Sequence, residues 1–135
     1  MNKALMQNLE LGKWQVRDFC KHIEVWFNGT ADGKDDLYRI ITDSFSPSFS
    51  MVTGDGEVIG YAIFRSWLHE VYGRFPTRRI EVKDISGYAT TAHVLLQFVE
   101  IQWTDNLRTE RLSSAVFLLE EDRAVWSHLI EEWVL

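Results

Sequence analysis

The residues of this chain that could do chemistry are a few polar side chains in otherwise apolar, strand-like segments. Glu100 and Gln102 interrupt one such segment at residues 90–103. His128 and Glu132 follow Trp126 in another, at the C-terminal end. A carboxyl group that faces an apolar cavity has a raised pKa, because desolvation disfavours its charged form, and it can then exchange a proton near neutral pH. Glu100, Glu132 and His128 are therefore candidate acid/base residues.

The same polar residues also have an ordinary structural interpretation. Carboxylates are commonly solvated at the rim of a fold or paired with arginine, and Arg108 and Arg111 lie on a neighbouring strand-like segment. His128 can equally be a core histidine whose ring is hydrogen-bonded. The residue types alone leave both interpretations open.

Aromatic residues are the second unusual feature, with six Trp, eight Phe and four Tyr in 135 residues. Aromatic side chains build cores, and they also line pockets for small molecules. We predict a pocket for a small apolar or aromatic molecule. Its predicted lining combines apolar and polar residues, namely Trp26, Tyr38, Phe49, Met51, Phe64, Trp67, Phe98, Trp126, Glu100, Gln102, His128 and Glu132.

The elements that must position these residues follow from hydrophobic periodicity. Apolar residues at spacings of three and four predict helices over residues 3–27, 35–45 and 61–72. Short strands are predicted at 49–52 and 57–59, and longer ones at 78–86, 90–103, 108–119 and 123–134, with a turn at 86–88. Because the late connections are short, their strands should be antiparallel neighbours. The expected architecture is a single α+β domain over residues 1–135.

The long strands are apolar on both faces, which predicts that each face of the sheet is covered by another layer of protein. Leu129 and Trp133 have parity opposite to Trp126, so we expect them on the face away from the helices. The helices of one chain cover only one face. We therefore predict a homodimer that packs through the sheet.

Composition and motifs argue against several classes of protein. The net charge of −6 repels nucleic-acid phosphates, and the basic cluster Arg74, Arg78 and Arg79 is small. No apolar run reaches 18 residues and the N-terminus has no apolar signal segment, so neither a membrane span nor a secretory signal is expected. The single cysteine, Cys20, fits a reducing compartment, which predicts a cytoplasmic protein.

Cofactor and metal motifs are also missing from the sequence. The four histidines are isolated from one another, and no Cys pair is present. The glycines at 54 and 56 form neither a dinucleotide-binding nor a P-loop pattern, and there is no Gly-x-Ser-x-Gly elbow. We predict that the protein uses no metal and no cofactor.

The order of these elements resembles the nuclear transport factor 2-like superfamily, whose members have a cystatin-like α+β cone. The resemblance is carried by TGDGE at residues 53–57, EIQW at 100–103, RLSSAVF at 111–117 and WSHLIEEW at 126–133, and it covers essentially the whole chain. Within the superfamily the chain is similar to small bacterial proteins akin to SnoaL polyketide cyclases and ketosteroid isomerases.

The resemblance implies three N-terminal helices packed on a strongly curved, mainly antiparallel sheet, which form a cone with an internal pocket. It also implies a dimer, and a pocket position for a final-strand histidine, here His128. Members range from enzymes to binding and trafficking proteins. We therefore expect a small-ligand-binding protein, with a cofactor-independent isomerase, cyclase or dehydratase, or a protein-interaction module, as alternatives.

Overall fold

Three helices lie within the first 71 residues of the chain, and four long strands follow them. The computed structural model describes residues 2–135. The helices are α1 (Lys3–Asn28), α2 (Lys34–Asp43) and α3 (Tyr61–Val71). The strands are β1 (Phe45–Val52), β2 (Val58–Gly60), β3 (Arg79–Ala89), β4 (His93–Thr104), β5 (Leu107–Glu120) and β6 (Arg123–Trp133). The predicted α+β order of elements is confirmed.

Helix α1 begins and ends at residues that suit a helix terminus. The Asn2 side chain accepts a hydrogen bond of 2.9 Å from the backbone N–H of Leu5, which satisfies one of the free donors of the first turn. At the other end, Gly29 has a left-handed backbone with φ of 72°. A Cβ at Gly29 would lie 2.8 Å from the Cα of Gly73, so glycine also permits the close approach of the loop after α3.

The six strands form one open, curved sheet in the order β2-β1-β6-β5-β4-β3. Strands β3 to β6 pair as antiparallel neighbours, as predicted. Strand β1 begins at Phe45, four residues before its predicted start, and pairs with β6 in parallel. Helix α1 packs across β3, β4 and β6, so the helices cover the concave face of the sheet.

The predicted turn at residues 86–88 is wrong, because β3 continues through this segment to Ala89. A bulge between Lys83 and Ser86 shifts the register with β4, and Asp84 there has a positive φ of 57°. The glycine at position 87 allows close backbone approach within the sheet. A Cβ on Gly87 would lie 1.9 Å from the backbone oxygen of Leu95.

Replacing Gly87 by alanine is expected to destabilise the protein by about 1–3 kcal/mol, because the added methyl group forces β3 and β4 apart. Gly60→Ala is the matched control, since its Cβ would meet nothing nearer than the Phe49 oxygen at 3.9 Å. Urea denaturation followed by circular dichroism measures both. Equal stability of the two variants would contradict this explanation of Gly87.

A second bulge, at Ser127 in β6, decides which residues face the helices. Phe117 pairs with Trp126 whereas Val116 pairs with His128, so Ser127 is an extra residue on β6. Side chains normally alternate between the faces, and one inserted residue inverts the alternation beyond it. Leu129, Glu131 and Trp133 consequently lie on the same face as Trp126, and His128, Ile130 and Glu132 lie on the convex face. The predicted convex position of Leu129 and Trp133 is wrong for this reason.

The hydrophobic core fills the space between α1 and the concave face. Trp26 of α1 is fully buried, and its indole N–H donates to the backbone oxygen of Leu68 in α3 at 2.7 Å. This bond joins α1 to α3 through two residues that are 42 positions apart in the chain. Among residues 2–135, no helix is both long enough and apolar enough to cross a bilayer.

Candidate functional site

A cavity of about 410 Å³ lies between helices α1 and α3 and the concave face of the sheet. This volume lies within the range of about 300–1,000 Å³ that small-molecule sites occupy. Nine aromatic residues contribute to its lining, and they are Phe19, Phe27, Phe45, Phe49, Phe64, Trp67, Phe98, Trp126 and Trp133.

One end of the cavity opens to solvent beside the turn between β1 and β2. Asp55 and Glu57 of this turn line the cavity, together with Trp67 and Trp133. Trp67 is 37% exposed and Trp133 is 41% exposed, which marks this end as the mouth. Trp126 lies 2% exposed within the lining, so the opposite end is closed.

The structure brings only part of the predicted pocket lining together around this cavity. The predicted residues that line it are Phe49, Met51, Phe64, Trp67, Phe98, Glu100, Gln102 and Trp126. Trp26, Tyr38, His128 and Glu132 do not line it. Trp26 belongs to the core, and Tyr38 stacks on His69 with ring centroids 4.3 Å apart.

His128 and Glu132 lie outside the cavity because the Ser127 bulge turns them to the convex face. The Nδ1 atom of His128 is 3.0 Å from the Ser50 hydroxyl oxygen on the neighbouring strand β1. Glu132 is exposed and pairs across the sheet with Leu112. Glu131 occupies the cavity position that the sequence pattern assigned to Glu132.

A buried ionic cluster forms the polar part of the cavity lining. It consists of Glu100, Gln102, Arg111 and Glu131, and we call it the Arg111 cluster. The Nη2 atom of Arg111 donates to Oε2 of Glu100, and its Nη1 atom lies 3.1 Å from Oε2 of Glu131. Gln102 donates through Nε2 to the same Glu100 oxygen at 2.7 Å. Both glutamate side chains are 9% exposed and that of Arg111 is 19% exposed.

The Arg111 cluster contains two carboxyl groups and one guanidinium, so it has one acidic group in excess. Burial raises the pKa of Glu131, the attraction of Arg111 opposes this rise and nearby Glu100 adds to it, and the net result is a pKa of about 7. Burial disfavours the charge of Arg111, yet the two carboxylates outweigh burial and raise its pKa. Glu131 is therefore the group of this cluster that can gain and lose a proton near neutral pH.

Trp133 is held at the mouth by contacts on two sides. Its indole N–H donates to Oδ1 of Asp55 at 3.0 Å, and the guanidinium of Arg111 lies 5.5 Å from its ring centroid. A Cβ at Gly54 would lie 2.5 Å from the Trp133 Nε1 atom, so glycine lets the turn approach the ring. The turn, Trp133 and the Arg111 cluster thus form one connected rim.

Two further polar groups belong to residues that line the cavity, Trp126 and Cys20. The indole N–H of Trp126 is buried, and it has no hydrogen-bond partner within residues 2–135. Burial raises the pKa of the Cys20 thiol, which keeps this lining residue protonated. In the described part of the chain, no three His, Cys, Asp or Glu side chains are grouped so that they could hold a metal ion.

Sequence patterns missed Glu131 and Trp133 because no residue type marks the Ser127 bulge. The pairing of Glu100 with Arg111, by contrast, could be predicted from the amino-acid sequence. Thr104 pairs with Leu107 across the two-residue turn of Asp105 and Asn106, and this register alone sets Glu100 opposite Arg111.

Replacing Glu131 by glutamine is expected to stabilise the protein at pH 8 by on the order of 2–3 kcal/mol. The folded state holds the proton of Glu131 up to a pKa of about 7, whereas the unfolded chain releases it near 4.5. The contribution of Glu131 to the stability of the wild-type protein therefore falls as pH rises from about 4.5 to about 7 and is then level. Glu131→Gln removes this fall. Urea denaturation at pH 5 and pH 8 measures the difference.

Glu132→Gln is the matched control for Glu131→Gln, because the two residues are adjacent and have the same side chain on opposite faces. Its unfolding free energy should follow that of the wild-type protein at both pH values. A larger effect at Glu132 than at Glu131 would contradict the placement of the bulge.

An open sheet wrapped around one long helix, with a cavity between them, defines the class of α+β cone proteins. Neither the protein-family models nor the curated proteins gave a match. Among solved structures, a nuclear transport factor 2-like protein of unknown function from Pseudomonas aeruginosa is 28% identical. The match covers 93% of this chain and 99% of that chain, with a TM-score of 0.86.

Two more distant structures share the fold. A candidate dehydratase of the nuclear transport factor 2-like family from Streptomyces avermitilis is 12% identical, covers 95% of this chain and 96% of that chain, and has a TM-score of 0.76. A candidate scytalone dehydratase from Novosphingobium aromaticivorans is 8% identical, and the match covers 100% of this chain and 89% of that chain, with a TM-score of 0.75. The chain belongs to the nuclear transport factor 2-like superfamily.

Proposed function

We propose that this protein is a cytoplasmic binding protein for a small apolar or aromatic molecule that occupies the cavity. The observation that carries the proposal is an aromatic cavity of about 410 Å³ whose lining includes one buried ionic cluster, the Arg111 cluster. Aromatic side chains bind the apolar part of a ligand through non-directional hydrophobic contacts, and a few polar groups at defined positions set its orientation.

Native mass spectrometry of the freshly purified protein tests the proposal by detecting a co-purified molecule. Leu129→Trp is expected to fill the cavity and abolish binding, because Leu129 contributes to its lining. Ile130→Trp is the control, since its side chain lies on the convex face and is 38% exposed. If the natural ligand is lost during purification, titration with naphthylmethanol measures binding to the empty cavity through the change in tryptophan fluorescence. If no molecule co-purifies and naphthylmethanol does not bind, the proposal fails.

The second candidate function is that of a cofactor-independent isomerase or dehydratase, and the position of Glu131 favours it. A carboxyl group with a pKa of about 7 in a cavity can take a proton from a carbon acid as its carboxylate and return it as the acid. Dehydratase candidates also occur among proteins with this fold. Of the predicted acid/base residues, Glu100 accepts hydrogen bonds from both Arg111 and Gln102 on one oxygen, and His128 and Glu132 lie outside the cavity.

Proton exchange distinguishes the enzyme from the binding protein without knowledge of the reaction. A co-purified molecule incubated with the protein in heavy water should gain deuterium at carbon if Glu131 acts as the base. Glu131→Gln should still bind the molecule but abolish the exchange, while Glu132→Gln should retain it. Undiminished exchange in Glu131→Gln would exclude Glu131 as the base.

We further propose that two copies pack through the convex face of the sheet. The two central strands, β4 and β5, carry a group of apolar side chains on this face, namely Leu95, Val99, Trp103, Leu112 and Val116. Val116→Arg is expected to give monomers in sedimentation velocity, because the charge would be buried at the interface. A monomeric wild-type protein would instead favour a protein-interaction module that docks a different partner on this face.

A further inference from the structure

We propose that the ligand of this cavity is a cationic amine, that is, an apolar or aromatic body with a protonated nitrogen that lies against Glu131. The inference rests on the proposed binding function and names the class of ligand. Its first support is the balance of charge in the lining. The carboxyl groups of Asp55, Glu57, Glu100 and Glu131 line the cavity, whereas Arg111 supplies the only cationic side chain among the described lining residues.

The single guanidinium in the lining is already occupied. Arg111 uses Nη2 on Glu100 and Nη1 on Glu131, and the ring of Trp133 lies 5.5 Å from its central carbon. An anionic ligand would have to displace one of these partners and would leave a buried carboxylate unpaired, which is costly. A ligand that brings its own positive charge instead compensates the carboxyl group for which the cluster has no counter-charge.

The aromatic walls add to this preference for a cation. The faces of Trp and Phe rings attract a positive charge, most strongly where water is excluded. Trp67 and Trp133 flank the mouth and are the first rings that an incoming ligand meets. The cavity offers no site for a metal cation in place of an amine, since within residues 2–135 no three His, Cys, Asp or Glu side chains are grouped so that they could bind one.

Binding of an amine should depend on pH with a defined sign. Arg111 on β5 and Glu100 on β4 act directly on Glu131. The other titratable groups of the lining are Cys20 on α1, and Asp55 and Glu57 on the mouth turn. As pH rises through about 7, Glu131 loses its proton and the lining becomes more negative. An alkylamine stays protonated over this range, so its affinity should rise from pH 6 to pH 8.

Three probes with the same apolar body test the inference, namely naphthylmethylamine, naphthylmethanol and naphthoic acid. They are cationic, neutral and anionic at pH 8. Isothermal titration calorimetry of the full-length protein should show that the amine binds about tenfold more tightly than the alcohol, the gain expected from one partly buried charged hydrogen bond. The acid should bind more weakly than the alcohol.

Glu131→Gln should reduce the affinity for the amine about tenfold and leave that for the alcohol unchanged. Glu132→Gln, on the convex face, should alter neither. If the alcohol or the acid binds as tightly as the amine, the cavity binds ligands but the inference of an amine is wrong. If none of the three probes binds at millimolar concentration, the proposed binding function fails, and the inference fails with it.

Discussion

Replacing Arg111 by methionine should destabilise the protein by about 3–5 kcal/mol at pH 8, because it leaves two buried carboxylates without a counter-charge. Glu100 and Glu131 both contact the guanidinium, and each of their side chains is only 9% exposed. Methionine has a similar apolar stem, so the loss reports mainly on charge. At pH 5 the carboxyl group of Glu131 is protonated, so fewer buried charges lack a partner and the loss should shrink. Urea denaturation at the two pH values measures both effects.

Arg108→Met is the matched control for Arg111→Met. Arg108 lies on the same strand and pairs with Glu110 at 2.9 Å, but its side chain is 49% exposed. An exposed pair contributes about 0–1 kcal/mol, so this variant should remain close to the wild-type protein. A triple variant with Arg111→Met, Glu100→Gln and Glu131→Gln should regain most of the lost stability. An Arg111→Met protein as stable as Arg108→Met would show that the cluster is solvated.

The second large effect is expected for Trp26→Ala, which should cost about 3–5 kcal/mol of unfolding free energy. Trp26 is fully buried and packs edge to face on Tyr72 with ring centroids 4.6 Å apart. Its loss creates a cavity between α1 and α3 and leaves the Leu68 carbonyl oxygen without its 2.7 Å hydrogen bond. Thermal and urea denaturation both report this change.

Trp14→Ala provides the comparison, because Trp14 lies on the same helix and is 56% exposed. Removing its side chain should change stability by less than about 1 kcal/mol. Trp26→Phe separates the two contributions, since it keeps most of the buried ring and removes the N–H donor. If Trp26→Ala and Trp14→Ala are equally mild, α1 is not anchored to α3 through Trp26.

The effects expected at Glu131 separate a structural role from a functional one. Glu131→Gln should raise stability at pH 8 and lower the affinity for an amine. Replacing a purely structural carboxylate would not lower the affinity for an amine. Replacing a group that only contacts the ligand would not raise the stability. Opposite changes in the two measurements would therefore identify Glu131 as a group kept in the cavity at a cost in stability.

The candidate site could be predicted only in part, and β4 shows where prediction succeeds. Its side chains alternate strictly, so Phe98, Glu100 and Gln102 share the face that the sequence pattern assigned to them. Prediction failed in β6, where Glu132 was chosen and Glu131 faces the cavity. A single inserted residue, Ser127, inverts the alternation, and hydrogen-bond pairing with β5 is what places it.

Hydrophobic periodicity, helix caps and short connections act within a few residues of one another, so the amino-acid sequence indicates three helices and an antiparallel succession of late strands. The cone followed from the resemblance to the nuclear transport factor 2-like superfamily. The folded chain alone sets the parallel pairing of β1 with β6, the bulges of β3 and β6, and the set of side chains around the cavity. These features depend on contacts between residues far apart in the chain, which local patterns do not encode. The Arg111 cluster exists because strand register brings Glu100, Arg111 and Glu131 together on one face.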